Sequence, residues 1–344
     1  MQDCLWRNII PGRALYVEKD KIWVAQGLNV FAIDFSGKIV SNIIKLGTLQ
    51  ERIISYYRPI RQFLRQGIHH LIPLNNNDLF IVLKRRALLI SKDGEIKSIF
   101  NSFHGNKPAH QGICIIPNGM IFFAEYSLNT KRIFDTCLYR SIDDGRTFHK
   151  ILTLSHKNVR HIHFVKYDSY EKCIWIGTGD RDEECCIMRS DDYGKSWKII
   201  GQGSQLWRSI GICFTSESII WGTDAGSVPQ NNHIVRMKRS TKDLEIIADV
   251  EGPCHGCATT LDGEIFISSG VEGGENEKDN YARLKRVHKN GNVETVLKCK
   301  KDCLPLIVQY GVIRFPLGSE NSKNLVFTMM GLKSNGESIY VYER

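Results

Sequence analysis

Ser141-Ile142-Asp143-Asp144-Gly145-Arg146-Thr147-Phe148 and Ser190-Asp191-Asp192-Tyr193-Gly194-Lys195-Ser196-Trp197 share one pattern, S-x-D-x-G-x-[TS]-[FW], and lie 49 residues apart. A spacing of that size points to an internal repeat, which takes precedence over any other reading of the chain. Outward from the two segments, short β-branched and aromatic runs fall in groups of four between turn residues. The groups cover 14–18, 21–25, 30–34 and 39–46; 70–73, 79–83, 87–91 and 95–100; 112–116, 120–126, 137–141 and 147–154; 161–166, 173–177, 187–190 and 196–200; 210–215, 219–222, 234–238 and 244–250; and 257–260, 264–268, 282–287 and 293–299. The remaining C-terminal part supplies three strands, 312–315, 325–329 and 338–342, and 5–10 from the N-terminus supplies the missing outer one.

The expectation is an all-β, seven-bladed propeller of four-stranded antiparallel blades, closed by the N-terminal strand joining the C-terminal blade. A count of six or eight follows if one group is misread. Radial repetition leaves only short, protected edges, and such blades do not fold alone. Although 344 residues would accommodate two domains by length, the repeat makes 1–344 one domain. The exception to the pattern is 48–66, where Ile53, Tyr57, Ile60 and Leu64 recur at spacings of three and four. That spacing makes one helical face, with a break or late start at Pro59.

The two segments resemble the turns of Asp-box (BNR-repeat) β-propellers, the sialidase/neuraminidase-like superfamily that also contains related glycosidases and propeller polysaccharide lyases. The resemblance implies structural hairpins: the Asp bonds turn backbone, the Gly takes a positive φ, and the aromatic packs between neighbouring blades. True sialidases carry an Arg-Ile-Pro near the first blade. Here the nearest string is Tyr57-Arg58-Pro59-Ile60, in scrambled order, so no catalytic residue is carried over and sialic acid is not the expected substrate.

In such a blade the loops between second and third strands share a face with those that lead into the next blade. Residues entering first strands include His69, His70, His110, Gln111, His161, His163, Arg208, His255, Gln309 and Tyr310, so six of the eleven histidines occupy equivalent places in the repeat. On the same face lie Glu125 and Tyr126, the run Gly177–Glu184 with Asp180 and Glu183, Asp224, and the stretch with Glu272 and Glu275, whereas Lys84-Arg85-Arg86 is basic. This is the usual place for a site on a rigid scaffold.

The chemistry expected first is a carbohydrate-active enzyme, glycosidase or polysaccharide lyase, acting on an acidic oligo- or polysaccharide in an axial pocket. Arg58, Arg61, Arg85, Arg86 and Arg208, with Gln111 and Tyr310, would bind substrate, since guanidinium groups hold carboxylates through paired hydrogen bonds. A glycosidase would draw its acid and base from Glu125, Asp180, Glu183, Asp224, Glu272 and Glu275. A lyase would use His110, His163 and Tyr126 with Arg208. A second reading is a divalent metal on His69, His110, His161 and His255, with His163 beside His161 on one side of a strand. A third is a non-catalytic glycan- or protein-binding propeller. The net charge of +9 favours an anionic partner, but acidic loops interrupt the basic residues on the same face and disfavour nucleic acid. No apolar run reaches the ~18 residues of a membrane span. Met1–Arg7 lacks the basic-then-apolar shape of a signal peptide, and eleven cysteines, an odd number, fit reduced thiols in the cytoplasm. Cys254-His255-Gly256-Cys257 lacks a second pair at zinc-ribbon spacing and reads as buried thiols. The oligomeric state is not legible.

Overall fold

A computed structural model describes residues 5–225, 231–333 and 336–343. Met1–Cys4, read above for a leader, lie outside them. The described strands form seven four-stranded sheets, each paired antiparallel in chain order from its first strand outward, and the chain is a seven-bladed β-propeller. It divides into two compact units, Met1–Ile68 with Gly226–Asn231 and Ile247–Arg344, and His69–Ala225 with Asn232–Ile246.

The first unit holds blade 1 (Arg13–Val17, Ile22–Gln26, Asn29–Ile33, Ile44–Lys45), blade 6 (Cys254–Thr259, Ile265–Ser269, Tyr281–Val287, Val293–Lys300) and blade 7 (Val312–Arg314, Leu325–Met330, Ser338–Glu343). The fourth strand of blade 7 is Leu5–Pro11, which runs antiparallel to Ser338–Glu343 with Trp6 opposite Tyr342. The Trp6 ring lies 4.5 Å from Tyr342 and 5.5 Å from Phe327. Facing sheets interlock through apolar side chains. Phe266, Leu284, Phe315 and Phe327 fill the space between blades 6 and 7, and Val24, Phe31, Val326 and Val341 that between blades 7 and 1. Each such side chain contributes about 1.5–3 kcal/mol on full burial.

The segment after blade 1 forms two helices, α1 (Leu49–Tyr56) and α2 (Arg58–Phe63). Thr48 and Glu51 close a reciprocal capping box at the start of α1. The break falls at Tyr57 rather than Pro59, which sits in the first turn of α2, where its missing N–H costs no hydrogen bond. The face shared by Ile53, Tyr57 and Ile60 is not the buried one. Ser55 and Gln62 point inward, while Ile53, Tyr57 and Ile60 are exposed. Close approach sets this orientation, since a Cβ on Gly27 would stand only 2.9 Å from Ser55 Oγ.

The second unit holds blade 2 (His70–Pro73, Leu79–Leu83, Arg86–Ile90, Ile96–Phe100), blade 3 (Ile113–Ile115, Ile121–Ala124, Thr136–Ser141, His149–Leu154), blade 4 (Ile162–Asp168, Cys173–Thr178, Cys186–Ser190, Lys198–Gln202) and blade 5 (Ile212–Phe214, Ser218–Gly222, Asn232–Lys238, Leu244–Val250), whose last strand crosses the boundary between units. Second strands are buried on both faces, as in Leu79–Leu83 and Cys173–Thr178, whereas outer strands such as His149–Leu154 are largely exposed. This is why the former read as continuous apolar runs and the latter do not.

The two repeated turns are built alike. Asp143 Oδ1 accepts from Thr147 N at 2.9 Å and Oδ2 from Thr147 Oγ1 at 2.6 Å, and Ser141 Oγ accepts from Gly145 N at 2.9 Å. Asp192, Ser196, Ser190 and Gly194 repeat the set at 2.8, 2.6 and 2.7 Å. Gly145 and Gly194 have φ of 75° and 92°, where a side chain is disfavoured. Phe148 stacks on Phe100 at 5.1 Å and lies 6.0 Å from Phe123, filling the space between blades 2 and 3. Trp197 packs on the cluster shared by blades 3 and 4.

Candidate functional site

His161 and His163 meet where the chain enters blade 4, at a register irregularity between Ile162 and Phe164. Both are buried, and their Nε2 atoms are 2.9 Å apart. His161 Nδ1 lies 2.9 Å from the Ser127 carbonyl oxygen, which can only accept, so His161 carries its proton on Nδ1. The neutral His161 ring then presents a lone pair at Nε2, and His163 donates to it through Nε2–H. Burial, reinforced by the neighbouring His163, pushes the His161 pKa down to about 3, so the neutral form is the one present near neutrality. The remaining ring nitrogen, His163 Nδ1, is buried with no hydrogen-bond partner among the described residues.

Asp180, on the loop between the second and third strands of blade 4, stands 3.7 Å through Oδ1 from both Nε2 atoms. Arg160 Nη1 donates to its Oδ2 at 2.8 Å, and Arg208 Nη2 lies 3.3 Å from Oδ1. Burial alone would raise its pKa. His163, His161 and Arg208 outweigh that and hold the carboxyl below the usual range. Asp180 has a φ of 111°, a strained conformation for a residue with a side chain. Its carbonyl, which accepts from Arg208 Nη1 at 3.0 Å and Gln205 Nε2 at 3.1 Å, helps to hold it there. Gly179 allows the close approach: a Cβ there would stand 2.9 Å from Arg208 Cγ and 3.1 Å from His163 Cε1. Arg208 Nη2 is also 3.4 Å from Asp224 Oδ2. The Tyr126 ring tilts over His161 at 4.2 Å.

Tyr126, His161, His163, Asp180, Arg208 and Asp224 thus come together, from blades 3, 4 and 5. Glu125 does not join them through its carboxylate, which accepts from His104 N at 2.9 Å, Cys137 N at 2.8 Å and Tyr139 Oη at 3.1 Å. Glu183 is exposed at the tip of its loop, 4.0 Å from Arg181. His69 and His110 are half-buried ahead of blades 2 and 3, and Arg85 is exposed beside Asn106. Arg86 is half-buried in the third strand of blade 2. Gln111 is buried, and a Cβ on Gly211 would collide with its Oε1 at 1.9 Å.

In the first unit, His255 Nε2 lies 3.1 Å from Glu272 Oε1, while Glu275 and Tyr310 are exposed. Arg58 donates to Asp302 Oδ2 and Gln309 Oε1, both at 2.8 Å, and Arg61 and Arg13 clamp the buried Glu337. The two helical arginines are therefore bound to protein carboxylates. Sequence reading passed over Arg160, Gln205 and the Ser127 carbonyl. Only the adjacency of Arg160 to His161 carried a signal.

The donors His161 Nε2, His163 Nε2 and Asp180 Oδ1 lie within 4.8 Å of one another, the donor chemistry of a divalent transition metal. Two features do not fit an ion. Coordination through His163 Nε2 would leave a buried Nδ1–H with no acceptor, where metal-bound histidines normally donate to one. Asp180 is moreover already engaged by two guanidinium groups. The arrangement fits proton transfer better: a fixed chain of carbonyl, imidazole and imidazole ending in a buried ring nitrogen with no partner among the described residues.

The fold defines the class as seven-bladed β-propellers. No protein-family model matches the chain, and no curated protein matches it in sequence. Among solved structures it is similar to a catalytically inactive virginiamycin B lyase from Staphylococcus aureus with quinupristin, at 14% identity and a TM-score of 0.63 over 99% of each chain. It is also similar to a streptogramin B lyase, at 15% identity and 0.58 over 97% of this chain and 93% of the other. An oligogalacturonate lyase in complex with manganese matches at 12% identity and 0.60, over 98% and 93% respectively. At these identities the likeness shows the fold alone.

Proposed function

We propose that the protein is a lyase acting on an acidic glycan, with His163 as its general base. The observation that carries this reading is the His163 Nδ1 lone pair, buried without a partner and oriented by the bond to His161. In the proposed step His163 takes the proton from the carbon next to a uronate carboxyl. The C–H electrons form a carbon–carbon double bond, the bond to the glycosidic oxygen breaks, and Tyr126 returns a proton to the departing oxygen. Arg208 receives the substrate carboxylate through Nη2, whose contacts to the carboxylates of Asp180 and Asp224, at 3.3 and 3.4 Å, are loose enough to be exchanged while Nη1 stays on the Asp180 carbonyl. A glycosidase is supported less, because it needs a protonated carboxylic acid. Asp180 is held ionised, and Glu125 is committed to three donors. The lyase names among the structural neighbours support the reading only as fold analogy.

Incubation with polygalacturonate, alginate and hyaluronan, following ultraviolet absorbance of the unsaturated product, tests it. Double-bond formation that His163→Ala abolishes is expected. Reducing ends released without a double bond would move the assignment to a glycosidase, and binding without turnover to a recognition module. Activity lost to a chelator and restored by manganese would favour the metal reading of His161, His163 and Asp180. We further propose that the two repeated turns are Asp boxes, which their identical bonding supports, that 1–344 is one domain, expected to unfold in a single transition, and that it works in a reducing compartment such as the cytoplasm.

A further inference from the structure

Helices α1 and α2 are inside out. Ser55, 1% exposed, faces the blade, whereas Ile53 and Tyr56 are 65% and 89% exposed. Leu49 is exposed as well, so that 49, 53 and 56 follow one another at intervals of four and three within α1, and beyond the break at Tyr57, itself exposed, α2 exposes Ile60 and Phe63. That interval keeps successive side chains on one face of a helix. A run of large apolar side chains left in water over so short a segment marks a surface that another phase or partner covers. Beneath it, a groove beside α1 is lined by Leu28, Leu49, Ile53 and Tyr56 together with Lys45 and Arg52. Neither Lys45 nor Arg52 has an acidic partner among the described residues, and Arg52 Nε is buried with no acceptor. The neighbouring cations Arg58 and Arg61, by contrast, are neutralised by Asp302 and Glu337.

We infer that this helix pair docks on an anionic lipid surface, its apolar side chains entering the acyl boundary and Lys45 and Arg52 meeting lipid phosphates. Three observations favour this occupant. Lys45 and Arg52, which no acidic side chain among the described residues neutralises, border the apolar side chains, and an anionic headgroup layer complements that charge. Tyrosine and phenylalanine among them suit the headgroup boundary. A second copy on the same face would bring Lys45 and Arg52 against their own equivalents with nothing to neutralise them. The inference is independent of the proposed lyase site.

Sedimentation of the full chain with phosphatidylcholine vesicles, with and without phosphatidylserine, tests it. Binding that requires phosphatidylserine is expected, falling roughly fivefold for each of Lys45→Gln and Arg52→Gln. It should be lost in the double variant Ile53→Ser/Tyr56→Ser, whose exposed positions leave the circular dichroism and Tm unchanged. Failure of the unaltered protein to bind, or undiminished binding by the double variant, overturns the inference. So does self-association in sedimentation velocity that the double variant removes, which would assign the face to a second copy.

Discussion

His161 and His163 meet through their Nε2 atoms at 2.9 Å, and the Ser127 carbonyl behind His161 decides which of the two rings donates. A backbone oxygen thereby fixes the tautomers of two side chains and leaves the far nitrogen of His163 as the acceptor. The two rings have different duties despite their near equivalence in sequence.

Replacement of His163 by Ala should lower turnover roughly 10²–10⁴-fold, the range in which a positioned base contributes. His161→Asn, a change at a positioning residue, should leave KM near its original value, reduce kcat less, and shift the pH–rate profile. Equal losses of kcat with unchanged profiles in the two variants would show that the rings act only as packing.

Stability should fall on acidification through the window set by His161. The unfolded histidine takes up a proton near its ordinary value of about 6.5, whereas the folded one resists down to about 3. Between these values the unfolded state binds more protons. Stability is therefore full above the window and declines as pH drops through it, by at most about 1.4 kcal/mol per pH unit. Asp180, held ionised in the fold, adds to the decline at the acid end. Denaturant titrations over this range should give a shallower slope for His161→Asn, and identical slopes would refute the assignment.

Glu125→Gln should destabilise the protein by about 1–3 kcal/mol, because the amide must turn an N–H toward one of three donors now satisfied by carboxylate oxygens. Burial and the charge of Glu125 together push the Tyr139 phenol above its ordinary range, so the Tyr139 titration should move back in the variant. Turnover per folded molecule should be unchanged. A variant of full stability that has lost turnover would make Glu125 catalytic.

Gly194→Ala should cost more than Gly203→Ala. Both glycines have φ near 90°, at 92° and 89°, which costs an alanine about 1–2 kcal/mol. A Cβ at 194 also meets Ile151 Cδ1 at 2.4 Å, whereas nothing lies within 4 Å at 203. Equal shifts in Tm would mean that Ile151 moves aside freely.

The fold was legible because the second strands of the blades, buried on both faces, leave continuous apolar runs, and because a three-strand remainder called for 5–10 as its fourth. The site was legible in part. The spacing of His161 and His163 marked them as a pair, and the glycines around Thr178 marked the loop of Asp180. No spacing shows that Glu125 is held by three donors, or that Arg160 rather than any other arginine reaches Asp180. Helical periodicity located the insertion but not which side of it lies against the blade, because contact with Gly27 depends on a blade folded beforehand.

The pairing of Leu5–Pro11 with Ser338–Glu343 joins residues such as Asn8 and Tyr340, 332 positions apart along the chain. During synthesis Leu5–Pro11 must wait, with an open hydrogen-bonding edge, until Ser338–Glu343 has been made. Contacts of such long range close slowly, and an open edge recruits other strands in the meantime. Folding yield should therefore depend on chaperone holding of the N-terminal strand more than on the intrinsic stability of any blade. Synonymous codons that slow translation between these two strands should therefore cost more soluble protein than the same delay placed after them.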